Sequence, residues 1–378
     1  MPVASGYAVK NQLTAQFQKK LVMKDQLLDA NFPKTSEGRV YHLGVKVGEV
    51  ANRIITVGPP SRAKSIAKLL STDPPPFILE SERGFLTITG LYNNVPISIV
   101  AIGMGAPNAD FFLREVRECV IGDMIVVRLG SCGGLRESLP VGSIVVPKAS
   151  IAVNRNYDFH FSVSTNTSDE DAYYISKPVS ADPELHLLNA LESTRVPGND
   201  AKVYGDIVNA SADSSQGRQT SFPDHNNKLI ESLLQRVEDL GSLEMETFHI
   251  LHLAASWNQY HENMTLVNKE HHQPVTATDE RADPDHVHKA PVFHTPTNIA
   301  SNQKQPEVPI GNIPITKSRI RAASAQMIFA ARISRDFITP ETVIKTEEWV
   351  GKAALRALSQ FASDIDDTLS PEGAVWKA

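Results

Sequence analysis

The sequence predicts an α/β domain, and three observations carry that prediction. From Arg53 onward, short β-branched runs alternate with helical segments. Several of the runs end in glycine-rich turns, a common junction between a strand and the element after it. At 378 residues and 41% apolar content, the chain can bury one substantial core with segments left over around it.

The clearest strands are expected at 53–57, 95–102, 124–129, 143–146 and 202–208, with a last one at 325–331. Between them the pattern predicts helices at 61–70, 108–121, 183–194 and 243–256, and 340–361 closes the domain. In that last stretch Val343, Val350, Leu355, Leu358 and Phe361 keep a helical stripe, and Pro340 stands near the start, where proline is tolerated. Residues 1–36 form a polar N-terminal extension, with a helix expected around 11–29 and a loop at Asn31-Phe32-Pro33. The segment 257–317 holds seven prolines and six of the twelve histidines. Too polar to build a core, it is expected as a long mobile insertion. The domain proper is thus 37–256 with 318–365, and 366–378 is a C-terminal tail.

A formal charge of −6, from 43 acidic and 37 basic residues, gives the whole molecule no attraction for nucleic acid or an anionic membrane. Any anion site must be local. Cys119 and Cys132 lack C-x-x-C spacing, which argues against a disulfide framework and against a cysteine-ligated zinc. The N-terminus lacks the apolar block of a secretory signal, and no apolar run approaches the roughly 20 residues of a membrane span. A cytosolic protein is expected.

Three strand ends run into glycine turns: Gly58-Pro59-Pro60-Ser61-Arg62, Gly103-Met104-Gly105-Ala106-Pro107-Asn108 and Arg128-Leu129-Gly130-Ser131-Cys132-Gly133-Gly134. In an open α/β sheet, ligands bind at the carboxyl ends of the strands, and glycine permits close approach to the backbone. Arg62, Arg83, Arg128, the Ser131 hydroxyl and the Gly58 amide together outline an anion site that is neither a Walker loop nor a G-x-G-x-x-G fingerprint. Leu243-Glu244-Met245-Glu246-Thr247-Phe248 stands at a helix start, where acidic residues either favour the helix dipole or bind the two hydroxyls of a ribose. Gln216-Gly217-Arg218, in a polar run, is either a surface loop or a set of donors and acceptors matched to a uracil edge. Glu246, His249 and His252 share a helix face, but packing and ribose binding explain them more simply than metal ligation, and no metal is expected.

In this order, these motifs resemble the uridine phosphorylase branch of the nucleoside phosphorylase family, from about Tyr41 to Phe361 with 257–317 as an interruption. Tyr41-His42-Leu43-Gly44, the Gly58 to Arg62 turn, Arg128-Leu129-Gly130-Ser131, Gln216-Gly217-Arg218 and Glu244-Met245-Glu246 carry the resemblance. It implies a single domain with a mixed, twisted central sheet surrounded by helices. Phosphate would be held by Gly58, Arg62, Arg128 and Ser131, with Arg83 entering from a neighbouring subunit. Ribose would lie against Met245, with Glu246 on its 2′ and 3′ hydroxyls and the partner's copy of His42 on the 5′ hydroxyl. Gln216 and Arg218 would bind the base, and Arg218, Arg128 and Glu246 would carry the catalytic roles. Phe329-Ala330 stand where purine-cleaving relatives place an acid, which favours a pyrimidine.

The implied activity is reversible phosphorolysis of uridine, with inorganic phosphate as co-substrate, no cofactor and at least a homodimer. A purine or broad-range phosphorylase, a hydrolase of the same fold and a non-catalytic nucleoside-binding member are the alternatives. The last gains weight because Ser214-Ser215 leads straight to Gln216, without the aromatic residue that stacks on the base in relatives. Gly84 stands where bacterial members have an acid that helps hold a monovalent cation.

Overall fold

The computed structural model describes residues 26–159, 172–213, 228–270, 318–361 and 371–377. A short antiparallel pair, β1 (Leu27–Leu28) and β2 (Lys34–Thr35), leads the chain in. Then come β3 (Arg53–Val57), α1 (Pro60–Ala67), β4 (Phe77–Glu80), β5 (Leu86–Tyr92), β6 (Val95–Ala101), α2 (Ala106–Cys119), β7 (Met124–Gly134) and β8 (Ile144–Val145). The middle of the chain adds β9 (Ala149–Arg155), β10 (Tyr173–Ile175), β11 (Val179–Ser180), α3 (Leu187–Ser193), β12 (Val203–Tyr204) and β13 (Val208–Ala212). Last are α4 (Leu229–Arg236), β14 (Leu240–Glu244), α5 (Thr247–Glu270), β15 (Ile320–Ala331) and α6 (Pro340–Gln360).

Thirteen strands form one sheet, whose main path runs β10-β9-β13-β14-β7-β3-β6-β5-β4. The sheet is mixed, as expected. β3 lies parallel to β6 and β7, and β15 parallel to β7, whereas β14 runs antiparallel to the far end of β7. The eleven-residue β7 therefore serves two neighbourhoods. Glycine allows this: a Cβ on Gly134 would come within 2.9 Å of the Leu139 carbonyl oxygen.

Strand side chains alternate between faces, and the two faces build separate cores. Ile55, Val57, Val127, Leu129 and Ala323 pack with Ile66 of α1 and with Trp349, Leu355 and Leu358 of α6. Ile54, Val100, Val126 and Ala322 pack on the other face with α2 and α5. In α2, Ala109, Phe112, Leu113 and Val116 repeat at the spacing of one helical face, and all are buried. The helix α6 opens with Pro340 in the first turn, as its sequence predicts, and Thr339 caps the Thr342 amide.

Several boundaries differ from the sequence reading. The stretch 202–208 is not one strand but two short ones, broken at Gly205-Asp206. The helix expected from 243 starts at Thr247, because Leu240–Glu244 is a buried strand with a two-residue turn after it. That same helix runs on to Glu270, past the boundary set at 256, and Trp257 packs against the second core. Residues 271–317 lie outside the described residues. The expected helix at 11–29 does not include Leu27–Leu28, which pair with β2, and residues 1–25 are not among those described. In the C-terminal tail Ala374 and Trp376 are buried beside Ala51, and the Val375 amide donates to the Gly48 carbonyl.

Candidate active site

The carboxyl ends of β3, β6 and β7 point the same way because the three strands are parallel. Val57 pairs with both Ala101 and Leu129, so the turns that follow Val57 and Ala101 open beside the outer part of β7. Arg128 lies one step inside that edge, on the face of α2 and α5, only 3% exposed. Its Nη2 donates to Glu246 Oε2 at 2.8 Å, while its Nε and Nη1 have no hydrogen-bond partner among the described residues. A buried guanidinium with uncommitted donors is costly unless something else comes to meet it. A Cβ on Gly58 would stand 4.0 Å from Arg128 Nη2, which fixes the glycine turn against the same group.

Glu246 closes the other side. Its Oε1 accepts from the Gly105 amide at 2.5 Å, at the start of α2, where Gly105 takes a φ of 95°. The carboxylate is thus held between Arg128 and the amino end of a helix, two positive neighbours. Burial pushes the Glu246 carboxyl above the usual carboxylate range; Arg128 and the Gly105 amide oppose that shift and Glu244 adds to it.

Glu244, two residues earlier, does different work. It accepts from the amides of Glu246 and Thr247, the Thr247 hydroxyl at 3.0 Å, Asn209 Nδ2 at 2.8 Å and the Ser211 hydroxyl. It therefore caps α5 and ties β13 to β14. Of the two roles open to the acidic motif, Glu244 takes the helix-capping one, which leaves Glu246 on the cleft. Met245 between them is half-buried.

Arg62 reaches the same edge from the opposite face. Its Nε donates to Glu347 of α6 at 2.8 Å and its Nη1 to the Leu129 carbonyl at 3.2 Å. Ser131 is half-buried on β7, three residues beyond Arg128. The structure thus gathers Gly58, Arg62, Arg128, Ser131, Met245 and Glu246 around one strand edge.

His42 and Arg83 sit together elsewhere. His42 Nδ1 lies 2.6 Å from Glu115 of α2, and its ring stacks on Phe111 at 3.8 Å. Arg83 donates to the Tyr41 hydroxyl and lies 4.9 Å over its ring. Among the described residues their partners are one another's neighbours and not Arg128 or Glu246. Gln216 and Arg218 fall outside the described residues, just past Asp213 at the end of β13. Phe329 meets Phe337 edge-on and Ala330 pairs with Gly133, so the end of β15 presents apolar side chains.

Sequence reasoning missed Glu347, Gly105 and the buried polar set of Asn209, Ser211 and Thr247. The Gly105 signal was visible in the glycine turn; the others need the sheet to bring distant residues together. No cluster of three or more histidine, cysteine or acidic side chains suited to a metal occurs among the described residues. None of the described helices is long and apolar enough to cross a membrane.

Fold and site together define an α/β protein with a buried, partly unpartnered guanidinium among the described residues, beside a buried carboxylate at the ends of its central strands. The pattern of the Phosphorylase superfamily matches residues 52–261, and the chain belongs to that family. It is 27% identical over 237 residues to a uridine phosphorylase of Thermococcus kodakarensis, covering 61% of this chain and 77% of the relative. A purine nucleoside phosphorylase of the DeoD type from Clostridium perfringens is 34% identical over 110 residues, 29% of this chain and 45% of the relative's length. A solved structure from work on two diverse uridine phosphorylases of the oomycete Phytophthora capsici superposes with a TM-score of 0.68 and 32% identity, covering 89% of this chain and 99% of that one. A Trypanosoma brucei nucleoside phosphorylase shares the fold, with a TM-score of 0.57 at 19% identity.

Proposed function

We propose that this protein is a uridine phosphorylase, splitting uridine reversibly into uracil and ribose 1-phosphate. The observation that carries the reading is Arg128, buried beside Gly58 and fixed to Glu246 through one nitrogen while two others are uncommitted among the described residues. A phosphate oxygen attacks the anomeric carbon, the bonding pair leaves with the base nitrogen, and that nitrogen takes up a proton. The sugar passes through a cation-like state, as in other glycosyl transfers. Arg128, Arg62, Ser131 and the Gly58 amide place the dianion, and Glu246 and Met245 hold the ribose. Arg218 and Gln216 receive the base. Phosphate is a co-substrate, and no further cofactor is needed.

One feature favours a shared site in a homo-oligomer. His42 and Arg83 are held at Tyr41 and Glu115 and make no bond to their own Arg128 or Glu246, so they are available to a second copy of the chain. The apolar Phe329-Ala330 end of β15 favours a pyrimidine over a purine. Two buried free thiols, Cys119 and Cys132, suit a cytosolic enzyme.

The decisive experiment measures free base released from uridine, thymidine and inosine by purified protein, with and without inorganic phosphate. Uracil release that requires phosphate is expected. Release without phosphate would make the protein a hydrolase, and binding without release would leave a nucleoside-binding protein.

A further inference from the structure

Sheet order divides the cleft into compartments. From β3 across β7 to β14 and β13, the chain presents first the anion donors Gly58 and Arg128, then Glu246 after β14, then Asp213 after β13. If phosphate lies at the first and ribose at the second, the third is left for the base. One residue there has been given no part in binding the base. His249, in the first turn of α5, is half-buried three residues past Glu246.

We infer that His249 is a base-side contact of the cleft, a ring that hydrogen-bonds the polar edge of a pyrimidine; this rests on the phosphorylase reading. Its Nε2 is buried without a hydrogen-bond partner among the described residues, and so is Asp213 Oδ1, while Asp213 Oδ2 accepts from the Arg155 amide at 2.9 Å. A buried ring nitrogen and a buried carboxylate oxygen, both left open and near enough for the carboxylate to act on the ring's charge, are a costly arrangement in a wall with nothing to bind. Phe248 meets the His249 ring edge-on with centroids 5.5 Å apart, which fixes its orientation.

The charges around His249 select the ligand. Glu244 at the end of β14, Asp213 at the end of β13 and Asp110 of α2 are all close enough to act on its protonation, with His252 the only basic neighbour among them. Three acids exclude a phosphate dianion from this corner and tolerate a neutral base. Burial pulls the His249 imidazole below its ordinary value despite those acids, so the ring is neutral at pH 7 and offers one donor and one acceptor. A pyrimidine imide edge presents the same mixture.

His249→Phe keeps a ring against Phe248 and removes the hydrogen bonds; His249→Asn keeps polar atoms. Two readouts separate this inference from the reading beneath it. Phosphate-dependent release of uracil by the wild-type protein tests the phosphorylase reading. Calorimetric titration with uridine, without phosphate, tests His249 whether or not turnover occurs. The Phe variant is expected to bind uridine about tenfold more weakly, with the Asn variant in between, and to show the same change in KM for uridine at unchanged KM for phosphate and unchanged melting temperature. Unchanged uridine affinity in the Phe variant would overturn the inference, as would an equal rise in both KM values or a wild-type protein that binds no uridine.

Discussion

Two arginine–glutamate pairs, each built on a buried arginine, flank the same strand edge, one on each face of the sheet, and they are not equivalent. Arg62 and Glu347 meet at 2.8 Å between α1 and α6, and a second nitrogen of Arg62 is bonded to the Leu129 carbonyl. Arg128 and Glu246 also meet at 2.8 Å, yet two nitrogens of Arg128 have no partner among the described residues, and burial shifts Glu246 toward its neutral form. The first pair joins two helices as well as lining the edge. The second keeps buried donors without a partner among the described residues, the kind of group that an incoming anion would satisfy. A buried pair of good geometry is thus weak evidence of function; its unsatisfied atoms are stronger evidence.

The comparison breaks most readily at Arg128. Arg128→Ala should lower kcat/KM by about a thousandfold, since it removes donors aimed at the reacting phosphate, and leave Glu246 buried without its cation. A loss below tenfold in steady-state kinetics would put the phosphate elsewhere. Next in size is Glu244→Ala, which strips the cap of α5 and takes a buried acceptor away from Asn209 and Ser211. It should cost about 3 kcal/mol in urea unfolding, and activity should follow the folded fraction. Arg62→Gln should be milder: roughly a tenfold rise in KM for phosphate with KM for uridine little changed, measured with each substrate varied in turn. An equal rise in both would assign Arg62 a purely structural role.

The smallest effect sharpens the contrast through pH. Glu246 must be ionised to accept from two ribose hydroxyls, and its folded value lies above the ordinary 4.5. As pH falls, the ionised form is lost through that raised value, so the acid limb of kcat/KM for uridine should lie above the ordinary carboxylate range. Glu246→Gln should lower activity and remove this limb; a limb retained in the variant belongs to another group.

Much of the fold was legible because it rests on local pattern. The run 53–57 becomes β3 unaltered, and α6 begins at Pro340 as read. The strand β14 was missed, and its last two residues were read as the start of a helix, because Leu240–Glu244 is short, buried on both faces and without a period of its own. The antiparallel β4 and the edge strand β10 were missed for a related reason, since runs of four and three residues are too short to show a period. In the site, Gly58, Arg128, Ser131 and Glu246 were readable from motifs, whereas Glu347, 285 residues from Arg62, left no local signal.

The sequence by itself determined the class of domain, the strand-end glycine turns and the family they resemble, and it nominated residues for an anion and a ribose. Local propensity and motif spacing suffice for those because they depend on neighbours along the chain. Only the tertiary structure decided which of two acids two residues apart caps a helix and which faces the cleft. It also decided which arginine is paired off and which is left open, and that His42 and Arg83 stand together away from Arg128. Each of those outcomes depends on which groups are desolvated together, and desolvation belongs to the packed sheet and not to the order of residues.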